Sequence, residues 1–128
     1  MILDSSAIVA IMLQEPAYES LLAKVGEAGT LGVGSPTLVE TAIVLSARLA
    51  TDAQGLVARF IQEADASIIP FGEAHHPTAH QAWIRFGKGR HPAALNFGDC
   101  LTYATARLAG EPLLCTGSDF AQTDLELA

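Results

Sequence analysis

Four acidic side chains of this chain stand where they could hold a hard cation together. They are Asp4 in MILDSSA, Glu40 in SPTLVETA, Asp99 in NFGDC and Asp119 in TGSDF. Mg²⁺ and Mn²⁺ prefer oxygen ligands and work over phosphates. Scattered carboxylates that converge in space therefore point to metal-dependent phosphodiester chemistry. Each acid also has a plainer reading. Asp4 and Asp99 can cap helices, Glu40 can answer a helix macrodipole, and Asp119 can serve a turn beside Gly117. Glu40 is set apart by the apolar run Leu38 to Leu45 around it. A helix covering a sheet is expected to hide that run, and an ionised side chain there is costly unless paired or metal-bound. Ser6, two residues past Asp4, is placed either to cap a helix or to orient a metal-bound water.

Other chemistries find less support. His75, His76, His80 and His91 suggest zinc, and His76 and His80 have the spacing of two ligands on one helix face. Pro77 falls between them, however, and no H-E-x-x-H pattern is present. There is no G-x-S-x-G elbow, no G-x-G-x-x-G turn and no Walker A loop. Cys100 and Cys115 form neither a disulfide framework nor a C-x-x-C motif, and both read as small buried hydrophobes. The net charge of −7 argues against simple electrostatic capture of nucleic acid. Yet Arg85, Lys88 and Arg90 are three of only seven basic residues and are packed into RFGKGR. That glycine-flexible loop either keeps an edge soluble or touches RNA phosphates.

The elements that must position the four acids follow from the pattern of apolar residues and breakers. Ile2-Leu3 reads as a short strand ending at Asp4, and Ser5 or Ser6 is placed to cap the helix after it. Pro16 ends that helix, and a second runs over about 17–27. TLGVG is a strand, followed by a helix that Ser35 caps and Pro36 enters. Thr51 is placed to cap the next helix. SIIPF is a strand, and 73–86 is a helix with Pro77 in its first turn or at a kink. GKGRHPAALNFG is a loop, a helix starts at Asp99 and ends at Gly110, Pro112 to Cys115 is a strand, and the tail TDLELA is an edge-strand candidate. Strands alternating with helices give an open, mainly parallel sheet covered on both faces, with all strand C-termini on one rim. Ligands bind at that rim, where strand order reverses. All four acids fall there.

The 128 residues fit one domain, read as 1–128, half of them apolar. So rich a composition suggests both a good core and a covered partner surface. No apolar run approaches the roughly 20 residues that span a bilayer. No basic region precedes Asp4 as in a signal peptide, and a cytoplasmic protein is expected.

These motifs, in this order, resemble a PIN-domain ribonuclease, and within that group the VapC-type toxins of bacterial toxin–antitoxin pairs. The likeness rests on MILDSSAIVAIMLQEP, on SPTLVETAIVL and on the block RFGKGRHPAALNFGDCLTYATARLAGEPLLCTGSDFAQTD. It covers essentially the whole chain. It implies a PIN-like (Rossmann-like) three-layer α/β fold, with Asp4, Glu40 and Asp99 at the principal acidic positions and Asp119 at a fourth. It further implies Mg²⁺- or Mn²⁺-dependent cleavage of single-stranded or looped RNA (tRNA or rRNA), a VapB-type antitoxin that blocks the site, and a homodimer. Ser118 stands where the family often has Asn or Asp, which bears on the support of Asp119. Gln122 stands where a basic residue is frequent, which bears on a phosphate contact or on antitoxin pairing. Two rivals remain at this stage. One is a phosphatase with Asp4 as nucleophile, which lacks the second Asp that its chemistry wants where Ser6 stands. The other is a non-catalytic Rossmann-like module that binds RNA or a partner peptide.

Overall fold

The computed structural model describes residues 1–128. Strand β1 (Ile2–Leu3) is apolar on both sides because both faces of the sheet are covered. Asp4 ends it and caps α1 (Ser5–Met12), its carboxylate accepting from the Ser6 N–H at 3.0 Å. The expected caps, Ser5 and Ser6, instead lie inside the first turn. Gln14 and Ala17 take left-handed conformations around Pro16 and turn the chain into α2 (Tyr18–Glu27).

Strand β2 (Leu31–Gly34) leads directly into α3 (Ser35–Leu49). Gly34 rather than Ser35 occupies the cap position. The Ser35 hydroxyl accepts from the Phe71 N–H at 3.3 Å, spending its hydrogen bond across elements. A side chain at Gly34 would meet the Thr105 hydroxyl at 2.9 Å, so glycine is what allows the next layer to approach. Helix α4 (Gln54–Glu63) starts after Ala53, not Thr51, and the Asp52 carboxylate receives the Gln54 N–H at 2.9 Å. Strand β3 (Ala66–Ile69) and α5 (His75–Phe86) follow, with Pro77 in the first turn where its missing N–H costs nothing. Helix α6 (Phe97–Ala109) begins two residues before Asp99. Strand β4 (Leu113–Leu114) is shorter than expected, and the tail adds only a single bridge, Leu113 to Leu127.

The sheet is four-stranded and parallel in the order β3-β2-β1-β4. The chain steps outward from β1 to β3, then returns to add β4 on the other side of β1. Strand order thus reverses between β1 and β4, at the C-terminal rim expected to bind ligand. Alternation along the strands feeds two cores. Ile2 and Leu113 pack with Ala82, Phe86, Leu95, Tyr103 and Phe120, beneath α5 and α6. Leu3, Val33 and Leu114 pack with Ile8, Ile11, Leu21 and Ile61 on the opposite face. This is the three-layer α/β arrangement anticipated from the element order. No helix is long and apolar enough to cross a membrane.

The tail is fixed by charge. Asp124 accepts from the Tyr103 hydroxyl at 2.6 Å and pairs with Arg85 at 3.2 Å and Arg107 at 3.5 Å. Burial alone would raise the Asp124 carboxyl, but these partners outweigh it and hold it below the usual range. Asp124→Asn is expected to lower unfolding stability by about 1 kcal/mol, since these bonds are partly screened by solvent. Urea melts at pH 7 would check this, and an unchanged midpoint would show that the clasp contributes nothing.

Candidate active site

The first four residues set the first wall of the site. Asp4 leaves β1 at the strand-order reversal and is only 5% exposed. A buried carboxylate needs donors, and the neighbouring serine supplies them. The Ser6 hydroxyl donates to Asp4 Oδ2 at 2.5 Å and accepts from the Thr116 N–H at 3.0 Å. Ser6 therefore fixes the carboxylate and ties it to the segment leaving β4.

Asp99 is the third residue of α6 and half of a capping box. Its N–H donates to the Asn96 side chain at 2.9 Å, and its Oδ2 accepts from the Asn96 N–H at 3.0 Å. One oxygen is thus used locally and Oδ1 is left for other partners. The spacing N-F-G-D carries the capping-box signal, with Asn as the cap and Asp at its third position.

Glu40 sits one turn into α3. The apolar run around it is only partly hidden: Val39 and Ile43 are 60% and 63% exposed, while Thr37, Thr41 and Leu45 are buried and Leu38, Ala42 and Val44 pack in part against the core. Burial of the surrounding run is therefore not what constrains Glu40. The Ser5 hydroxyl donates to its Oε1. Asp119 follows β4 on an exposed turn and caps nothing. Ser118, expected to support it, is also exposed.

The rim is electrostatically one site. The Asp99 carboxyl is pushed up to about 6, first by burial, against the pull of the Asn96 N–H, and then by the charges of Asp4, Asp119 and Glu40. The Cys115 thiol is pushed up to about 11 by burial and by Asp4, Asp99 and Asp119. Burial and Asp99 likewise raise Cys100 to about 11. Both thiols stay protonated at neutral pH, which leaves carboxylate oxygens as the donors of the rim. The histidines do not converge there as ligands. His75 and His91 each accept a backbone N–H through Nδ1, at 3.0 Å. No group of three or more His, Cys, Asp or Glu side chains stands close enough to hold one ion directly.

The basic loop is less available than its composition suggests. Arg85 is paired with Asp124, and Arg90 lies over the Trp83 ring at 4.9 Å while donating to the Ile84 carbonyl at 3.1 Å. Lys88 is exposed. Sequence reasoning did not single out Ser5, whose hydroxyl resembles any other first-turn serine. Nor did it single out Phe97, 80% exposed at the start of α6, because an aromatic before a buried helix reads as core.

Residues 1–126 match the family model of the PIN domain. Ribonuclease VapC36 of Mycobacterium tuberculosis is 45% identical over 127 residues, which cover 98% of this chain and 91% of that relative. The solved structure of M. tuberculosis VapC20, described as a sarcin-ricin loop cleaving toxin, matches with a TM-score of 0.81 and 15% identity. That match covers 99% of this chain and 97% of the other. A toxin–antitoxin complex from Klebsiella pneumoniae matches with a TM-score of 0.73 and 15% identity, covering 99% of this chain and 95% of that one. At such identity the two structures bear on the fold alone.

The raised Asp99 carboxyl makes a signed prediction. The folded protein holds this proton more tightly than the unfolded chain, so its contribution to stability is lost as pH rises from 3.8 to about 6. With chelator present at pH 7.5, Asp99→Asn should therefore melt above the parent. Asn keeps the acceptor for the Asn96 N–H without the charge. The gain should vanish below pH 3.8, where the carboxyl is protonated in both states. Scanning calorimetry of both proteins across this range would test it, and a gap independent of pH would contradict it.

Proposed function

The chain belongs to the PIN domain family, and from that premise we propose that it is an endoribonuclease, the toxin of a VapBC-type toxin–antitoxin pair. It cleaves looped tRNA or rRNA in the cytoplasm and so stops translation until its antitoxin covers it. Residues 1–128 are read as one such domain. The observation that carries the reading is the placement of the buried Asp4 at the strand-order reversal, within range of Asp99, whose carboxyl is raised first by burial and then by the charges of Asp4, Asp119 and Glu40. Carboxylates gathered in this way resist full ionisation together, and a cation among them relieves it. The ribonuclease name of the relative at 45% identity supports the same chemistry.

The donors fit a hard divalent ion. Mg²⁺ commonly keeps several waters and takes one or two carboxylates directly, which suits a rim whose side chains are too far apart to cage an ion. Asp4 and Asp99 would hold Mg²⁺ or Mn²⁺, with Asp119 acting through water. Bound there, the ion supplies Lewis acidity and a water of lowered pKa. The chain does the rest. Ser6 and Asn96 keep Asp4 and Asp99 oriented. Glu40 Oε1 is engaged by Ser5, so Oε2 is the oxygen that orients the attacking water. Lys88 is the basic side chain of the loop free to meet a phosphate.

The antitoxin reading has its own support. Val39 and Ile43 form an exposed apolar strip on α3 that runs past Glu40 towards Phe97. A VapB-type segment lying along that strip would lead to the acids. Self-association, also implied by the family likeness, would bury Trp83, which is 40% exposed.

Asp4→Asn should reduce cleavage of labelled RNA at least about 100-fold, the loss usual for a group that stabilises developing charge. A chelator should abolish cleavage and Mn²⁺ restore it. RNA bound without being cut would favour a non-catalytic module instead. Ile43→Asp should weaken antitoxin binding about tenfold or more, as for an interface anchor, and leave cleavage unchanged. Titration calorimetry against the purified antitoxin would measure it, and an unaltered Kd would remove α3 from the interface.

A further inference from the structure

Unlike Asp4 and Asp99, Glu40 makes no capping hydrogen bond at the start of a helix. Its backbone sits on a helix face whose flanking residues, Val39 and Ile43, are in solvent. A glutamate side chain there is long and has many rotamers. Two features limit it. On one side, the Ser5 hydroxyl, itself buried on α1, donates to Oε1. On the other, Oε2 occupies the space where a side chain at Gly98 would begin. A Cβ at position 98 would overlap Oε2 and stand 3.1 Å from Glu40 Cδ.

Gly98 is not glycine for backbone reasons. Its φ is outside the left-handed region, unlike those of Gly89, Gly110 and Gly117. It occupies the first turn of α6, where alanine is ordinarily the better residue. The next nearest atom to the missing Cβ is Asn96 Oδ1 at 3.5 Å, an ordinary contact. A methyl group at position 98 would therefore disturb almost nothing except the Glu40 carboxylate. That carboxylate is also the far end of a flexible side chain, so the fold can absorb the change while the site cannot.

We infer that Ser5 and Gly98 are positioning residues that together place the Glu40 carboxylate between α1 and α6 before any ligand arrives. In its functional consequence this rests on the ribonuclease reading above, because the positioned group is the one assigned to the attacking water. Ser5 supplies the pull and Gly98 the room. The pocket formed is protein-made, and Glu40 needs no ion to be oriented.

The test is a pair of double-mutant cycles on the full chain, with Gly98→Ala and Ser5→Ala each made alone and combined with Glu40→Ala. Three quantities are read: the melting temperature in chelator, Mn²⁺ affinity by calorimetry, and RNA cleavage. With Glu40→Ala in place, Gly98→Ala should raise the melting temperature, since the helix keeps its gain and no carboxylate is displaced. With Glu40 present, the same substitution should bring no such rise. It should also weaken Mn²⁺ about tenfold, the usual scale for a group that orients a ligand, and lower kcat more than it raises KM. Ser5→Ala should weaken Mn²⁺ similarly with Glu40 present and leave it unchanged with Glu40→Ala. Should Gly98→Ala fail to fold, Ser5→Ala decides the matter by the same comparison. Equal melting shifts in both backgrounds, with Mn²⁺ affinity within about twofold of the parent, would overturn the inference. If the parent itself neither binds Mn²⁺ nor cuts RNA, the ribonuclease reading fails. The melting cycles then still decide the positioning, since non-additivity sustains it and additivity removes it.

Discussion

Holding carboxylates at one partly buried rim is the constraint that governs this structure. Asp4, Glu40, Asp99 and Asp119 come from four distant parts of the chain, and the charges of the other three add to burial in raising the Asp99 carboxyl. Left free, such side chains would turn outward to water. Three of the acids, Asp4, Asp99 and Glu40, are met by hydrogen-bond donors near the starts of α1 and α6. Ser6 is fixed by the Thr116 N–H, Asn96 by its reciprocal cap with Asp99, and Ser5 by burial in the first turn of α1. The acids are held by the ends of helices that pack for other reasons.

Those helices meet through an unusually polar seam. Thr37 and Thr41 of α3 face Thr102 and Thr105 of α6, and all four are buried. Thr37 and Thr102 share a hydroxyl contact of 3.1 Å, while Thr41 and Thr105 each donate to a carbonyl one turn back. No buried side-chain polar atom is left without a partner. Of the four hydroxyls the Thr37–Thr102 pair is the link between the two helices, three residues from Glu40 on one and three from Asp99 on the other. An aliphatic seam would pack as well but would discriminate less among neighbouring registers.

Much of this was legible in the residues. The alternation of short apolar strands with amphipathic helices gave the parallel α/β class, because the period of the apolar pattern reports which faces are covered. The acids were legible because each stands just past a strand or at a helix entry. The helix starts were less so. Ser35 and Thr51 are good caps by type, but Gly34 and Ala53 hold those positions: the Ser35 hydroxyl is spent across the fold on the Phe71 N–H, and at α4 the Asp52 carboxylate takes the first-turn N–H of Gln54. The exposure of Val39 and Ile43 was illegible for a different reason. A run of apolar residues does not say which of its faces belongs to the chain's own core and which is reserved for another molecule. Ser5 and Gly98 could not be found from pattern at all, because their importance is a distance between residues 35 and 58 positions away and Glu40 itself.

The tail has a consequence for how copies of this molecule can meet. Leu113 donates to the Glu126 carbonyl and accepts from the Ala128 N–H, both at 2.9 Å, so the outer side of β4 is already occupied. Strand β3, at the other margin, carries Ile68 outward, 55% exposed. The sheet is thereby asymmetric as a template: one border is sealed by its own chain and the other can still recruit a strand. Any growth by strand addition must proceed from the β3 side. A strand pairing on the β4 side would first have to displace Glu126 and Ala128 from Leu113.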